Sequence, residues 1–149
     1  MIYLLRHGDA EDGSGDDAAR RLTAKGEQQA KAAGRALAAL VVEIDACLTS
    51  PKVRAADTAR IACSSRGIEP EVVEELRGGP FDSLALTAGR GNTLLVGHEP
   101  DFSGEVGRLT GANVKLRKGG LAIVDDSTLV ALLRPSDLAA IATGGSRDR

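Results

Sequence analysis

The sequence predicts a single-domain, three-layer α/β/α sandwich whose mostly parallel sheet is made mixed by a C-terminal hairpin. Three observations predict it. Apolar runs at residues 2–5, 44–49 and 92–97 are short and largely unbroken, as strands covered on both faces are. The first two are followed by stretches of helical spacing and the third by a Pro-led stretch that can form a helix, the strand–helix alternation of an α/β domain. Two last apolar runs, 121–124 and 128–133, flank Asp125-Asp126-Ser127, a short polar turn that closes a hairpin.

The elements follow in order. Residues 2–5 form the first strand, and the Gly- and Asp-rich stretch 8–21 is a loop. Thr23 is placed as N-cap of an Ala-rich helix, with Leu22 as the staple residue before it. Ala30, Ala33, Leu37 and Leu40 then recur on one helical face. Residues 44–49 form the second strand, broken by Ser50-Pro51. Pro51 suits the first position of a helix that runs to about Ser65. Residues 71–73 make a short third strand, 82–88 a short helix, 92–97 a buried strand and 101–109 a helix entered through Pro100. The hairpin and a last helix at 135–142 complete one domain, residues 1–142, and 143–149 read as a flexible tail.

Composition narrows the function. A chain of 149 residues, 42% hydrophobic and 27% charged, can bury one core. Aromatic residues are 2% of the chain and Trp is absent, which argues against base stacking. A net charge of -2 gives no global field toward nucleic acid or an anionic membrane. No apolar run is long enough to span a bilayer, and Arg6-His7 interrupts the N-terminal run too early for a signal peptide. Cys47 and Cys63 lack metal-ligand spacing and read as a buried, reduced pair, consistent with a cytoplasmic protein.

The chemistry concentrates at strand ends. The chain has two histidines, and each directly follows an apolar strand, in Leu4-Leu5-Arg6-His7-Gly8 and Leu95-Val96-Gly97-His98-Glu99-Pro100. Ligands of open α/β sheets bind beyond the carboxyl ends of the strands, where both imidazoles can converge. Arg6 adds a planar cationic fork suited to phosphate oxygens, and Gly8 permits close approach of ligand or backbone. Arg54 falls in the first turn of the helix after Ser50-Pro51, a position that favours anions. Taken alone Arg54 reads equally well as a solvated helix arginine, and Lys52 reads as solvated.

These segments resemble the histidine phosphatase superfamily, and within it the short SixA-type phosphohistidine phosphatases. Leu5-Arg6-His7-Gly8, Leu22-Thr23-Ala24-Lys25-Gly26, Thr49-Ser50-Pro51-Lys52-Val53-Arg54-Ala55 with Thr58-Ala59, and Val96-Gly97-His98-Glu99-Pro100 occur in that family's order. The resemblance implies a phosphatase in which His7 is the nucleophile and forms a phosphohistidine intermediate. Arg6, Arg54 and His98 would bind the phosphoryl oxygens, His98 as imidazolium, with Gly8 and Ser50 at the pocket; Ser50 reads equally well as a cap beside Pro51. No metal ion or cofactor is called for, and Asp16-Asp17 and Asp125-Asp126 read as solvated loop residues.

One departure shapes the substrate expectation. Many relatives place a glutamate two residues beyond a leucine after the central strand, to protonate the leaving oxygen. Counted from Leu76, that position is Gly78. Glu75, Asp82 and Glu99 are the remaining carboxylates that could substitute. Without a donor, an alkoxide leaves poorly, whereas a phosphoramidate nitrogen accepts its proton before the bond breaks. The expected substrate is therefore phosphohistidine on a protein, and the short connections leave no room for a cap domain. A phosphatase of a small phosphorylated metabolite and a non-catalytic phosphate-binding regulatory module are the alternatives.

Overall fold

Residues 2–6 carry apolar side chains on both sides of the backbone up to Arg6, so they fit only where both faces are covered. In the computed structural model, which describes residues 1–13 and 15–144, they form the strand β1 (Ile2–Arg6) near the middle of a sheet. Among the described residues the sheet has six strands, continuing with β2 (Ala46–Thr49), β3 (Glu71–Val72), β4 (Thr93–Gly97), β5 (Leu121–Asp125) and β6 (Thr128–Leu133). Their order is β3-β2-β4-β1-β5-β6. The pairs β1–β4, β2–β4 and β2–β3 are parallel, and β1–β5 and β5–β6 are antiparallel. The sheet is mixed because of the C-terminal hairpin, whose tight turn places Asp126 at φ +58°.

Helices cover both faces. α1 (Ala24–Ala39), α2 (Val53–Cys63) and α5 (Pro135–Ala142) supply Ala33, Ala36, Leu37, Ala55, Ala59 and Leu138 to one core, facing Tyr3, Leu5, Leu94 and Val96 of the sheet. α3 (Ser83–Thr87) and α4 (Asp101–Thr110) lie on the other face. There Phe102 and Val106 pack with Leu4, Leu48 and Leu95. The alternation of Leu4 and Leu5 between two cores is what an unbroken apolar strand requires. Small residues let α1 and α2 approach closely: a Cβ on Gly34 would lie 2.6 Å from the Ala62 carbonyl oxygen.

Helix starts refine the sequence reading. Thr23 caps α1 as predicted, accepting from the Gly26 N–H at 3.0 Å, and Leu22 is buried and bridges to Ala10. Pro51 does not open α2. The Ser50 hydroxyl accepts the Lys52 N–H at 3.1 Å, which turns the chain before the helix, so Lys52 is the N-cap and Val53 the first helical residue. α2 also ends at Cys63, two residues before the expected Ser65. Of the expected tail at 143–149, Thr143 and Gly144 close α5 through bonds to Ala139 and Ile141, and residues 145–149 lie outside the described residues.

Candidate active site

Strand register brings the histidines together. β1 and β4 run parallel with Arg6 opposite Gly97, so His7 and His98 leave the sheet side by side at its carboxyl end. The His7 N–H bonds the Gly97 carbonyl at 3.0 Å. The rings lie 5.2 Å apart between centroids, tilted by 56°, and each residue is 6% exposed. They form the floor of a cleft of about 240 Å³ that Arg6 and Arg54 also line.

The backbone fixes the chemical state of His7. Its Nδ1 lies 2.7 Å from the Gly8 carbonyl oxygen. A carbonyl can only accept, so Nδ1 carries the hydrogen and Nε2 keeps its lone pair in the neutral ring. Burial lowers the His7 pKa to about 4, helped by Arg54, Arg6 and Lys118 and opposed by the Gly8 bond. At neutral pH the ring is unprotonated, with a lone pair free on Nε2.

His98 is held from β2. Its Nε2 lies 2.7 Å from the Ser50 hydroxyl, and Ser50 follows β2 with its N–H on the Val96 carbonyl. Burial first, then the charges of His7, Arg54 and Lys52, lower the His98 pKa to about 3. The imidazolium that the resemblance implies is therefore not the resting state of the free cleft. Asp17 opposes this shift, and an arriving anion would raise the value further.

The two arginines are anchored from opposite sides. Arg6 donates through Nη1 to the Leu116 carbonyl at 3.0 Å. Arg54, 5% exposed, donates to the Asp17 carbonyl at 2.8 Å and the Asp17 carboxylate at 3.2 Å. The Nε of each is buried and unpaired. Unpaired buried donors are costly, and Arg6 and Arg54 line the same cleft as His7, where two cations suit an anion. Arg66 also carries unpaired nitrogens, so the combination with His7 is what distinguishes the cleft.

Gly8 and Ser50, expected at the phosphate, stand one step behind it. Gly8 does not line the cleft; its N–H bonds the Thr58 hydroxyl at 3.1 Å, and a Cβ there would meet the Gly26 carbonyl oxygen at 2.5 Å. Ser50 serves both readings, since it caps the turn before α2 and holds His98.

Other side chains differ from the sequence reading. Asp17 is not simply solvated: it pairs with Arg20, Lys52 and Arg54 at 3.0, 3.4 and 3.2 Å, and the Arg54 guanidinium holds its carboxyl down to about 2. Lys52 lines the cleft, as do Arg77, Lys118 and Asp101. None of these was singled out by sequence reasoning as a ligand-facing group. The run Lys115-Leu116-Arg117-Lys118 before two glycines is the one local signal that could have pointed to Lys118.

The carboxylates considered as proton donors fare unequally. Glu99 lines the cleft and is engaged with the protein, accepting from the Ser103 N–H, the Ser103 hydroxyl and the Leu116 N–H. Asp82 caps α3, and neither it nor Glu75 lines the cleft. Gly78 does line it, so the side chain absent there leaves open wall. The thiols are not candidates for nucleophile: Cys47 and Cys63 are free and buried, and hydrogen bonding to Cys63 together with burial pushes the Cys47 thiol up. Among the described residues no three His, Cys, Asp or Glu side chains gather around one point, and no helix is long and apolar enough to cross a membrane.

Comparison with known proteins identifies the family and the fold. A family profile described as histidine phosphatase superfamily (branch 1) matches residues 2–86. A protein of uncharacterised function from a Picosynechococcus strain is 34% identical over 134 residues, 80% of this chain and 81% of its own. Among solved structures, the protein histidine phosphatase SixA complexed with tungstate superposes with a TM-score of 0.79 at 25% identity, over 92% of this chain and 98% of that one. The alpha-ribazole phosphatase of Shigella flexneri superposes with a TM-score of 0.68 at 19% identity, over 90% and 96%, a likeness of fold alone.

Proposed function

The chain belongs to the histidine phosphatase superfamily and is a phosphatase, and from that premise we propose that it removes the phosphoryl group from phosphohistidine on a protein, without a metal ion. One observation carries the mechanism: a neutral His7 whose Nδ1–H is committed to Gly8, leaving Nε2 free in a cleft that buried Arg54 and half-buried Arg6 also line. Nε2 attacks phosphorus in line; the new N–P bond forms as the substrate's own P–N bond breaks, the bond's electron pair going to the leaving nitrogen of an imidazole already protonated on its other ring nitrogen, so that the ring leaves neutral. Arg6 and Arg54 carry the charge of the equatorial oxygens. The dianion raises the His98 pKa, so His98 donates as imidazolium while Ser50 holds its ring. Water then attacks phosphorus, its proton passing to the departing phosphate, and neutral His7 is restored.

The substrate assignment rests on the missing donor. Gly78 offers no carboxyl group, and Glu99 is already held by three donors. A general acid is worth about 10²–10⁴-fold where a poor leaving group must depart, so the cleft suits a leaving nitrogen better than an alkoxide. The likeness to a protein histidine phosphatase supports the same direction. The free buried thiols suit a reducing, cytoplasmic setting.

The test offers a phosphohistidine-bearing protein and a panel of phosphate monoesters in the presence of chelator. Turnover of the former and acid-labile phosphate trapped on His7 are expected. His7→Ala should lose at least about 10³-fold in kcat. Efficient hydrolysis of a sugar or nucleotide phosphate without action on phosphohistidine would transfer the protein to the metabolite phosphatases. Full activity in His7→Ala would end the mechanism.

A further inference from the structure

Beside the His7 cleft lies a second, larger one of about 490 Å³. Arg6 and Lys118 line both, so the two are contiguous. The second adds Lys25, Lys115 and Arg117, against Asp9 as the one carboxylate in its lining. Asp9 is already engaged: it accepts from the Thr23 hydroxyl at 2.8 Å and lies 3.5 Å from Lys118. Lys25, Lys115 and Arg117 are exposed and have no ion-pair partner among the described residues. In a chain of net charge -2, this local excess of positive charge runs against the composition. The 115–118 segment is also fixed in place, because the Leu116 carbonyl accepts from Arg6 and its N–H is held by Glu99 and Ser103.

We propose that this basic groove receives an acidic segment of the phosphoprotein substrate, flanking the phosphorylated residue, while the phosphoryl group lies in the His7 cleft. The inference rests on the phosphoprotein reading above. Exposed cations hold a free anion weakly. They contribute when the ligand is already anchored nearby, because the second contact is then intramolecular, and they steer an acidic partner during approach. The second cleft alone has the size of a small-ligand pocket and the His7 cleft approaches it, so a ligand that fills both is larger than one phosphorylated residue.

The experiment measures binding of two peptides to the full chain at low salt. Both carry a stable phosphohistidine analogue, one within Glu-rich flanks and the other within Gln-rich flanks. The Glu-rich peptide should bind about tenfold more tightly, and high salt should erase the difference. The triple variant Lys25→Gln, Lys115→Gln, Arg117→Gln should bring the preference to about one; being a ratio on one protein, it is insensitive to partial misfolding. Equal binding by the native chain, or a preference that survives in the variant, overturns the groove. Inorganic pyrophosphate that competes more tightly than the Glu-rich peptide, with the same loss in the variant, also overturns it, in favour of a small polyanion. A preference confirmed without any hydrolysis of phosphohistidine proteins leaves the groove standing and fails the substrate reading instead.

Discussion

The floor and the wall of the His7 cleft are built by different means. The floor, His7, His98 and Arg54, is buried and bonded to Gly8 just past β1, to Ser50 just past β2 and to Asp17. The wall, Arg77, Gly78, Asp101 and Lys118, comes from loops and a helix start, and all but Asp101 are exposed. A floor keyed to strand register tolerates almost no displacement, whereas a wall of surface side chains can be exchanged at little cost. In the mechanism and groove proposed above, reaction chemistry belongs to the first and choice of partner to the second.

The sharpest way to break this contrast is to add one methyl group to each region. Gly8→Ala would push a Cβ to 2.5 Å from the Gly26 carbonyl oxygen, and neither backbone can yield without moving His7. The expected cost is about 1–3 kcal/mol of stability, with roughly 10²-fold lower kcat from the displaced nucleophile. Gly78→Ala meets no atom within 4 Å, and its stability should stay within about 0.5 kcal/mol of the native chain. Urea unfolding and steady-state kinetics on the two variants read both effects. Similar losses at the two positions would erase the distinction.

Acid sharpens the comparison next. Folding holds the His7 pKa at about 4, below the usual value of about 6.5 for histidine. The folded state therefore favours the neutral ring. Its stabilising contribution is complete above the unfolded value and is lost as pH falls from about 6.5 through 4. Between pH 7 and 4.5 the native protein should lose about 2 kcal/mol more than His7→Asn. Over pH 5 to 8 the nucleophile of the free enzyme stays unprotonated, so kcat/KM should show no acidic limb from His7 in that range. An apparent pKa near 6.5 in kcat/KM that disappears in His7→Asn binding data would mean that burial does not control the ring.

The same division explains what the sequence revealed. Residues 2–5 and 92–97 could be read as strands because burial on both faces leaves an unbroken apolar run. The residues just past those runs inherit their position, which is why His7, His98 and Arg6 could be read with them. Strand order could not, since the adjacency of β4 to both β1 and β2 is a tertiary choice that no local pattern encodes. From sequence Asp17 reads as solvated for a related reason: its partner Arg54 is 37 positions away in the chain. Pro51 misled because a proline fits a first helical position well, and the Ser50 hydroxyl then displaced the helix start by two residues.

Asp17 joins floor to wall, and its removal tests the smallest effect. Its backbone carbonyl holds one Arg54 nitrogen and its carboxylate the other, so it orients the fork while competing with phosphate for it. Asp17→Asn keeps the carbonyl contact and removes the negative charge. Because the carboxylate is exposed, water and salt screen it, and the change should be modest. Inorganic phosphate should inhibit the variant about two- to fivefold more tightly at low salt, and the difference should shrink as salt is added. Weaker inhibition would mean that orientation of Arg54 outweighs competition, making Asp17 a supporting member of the floor.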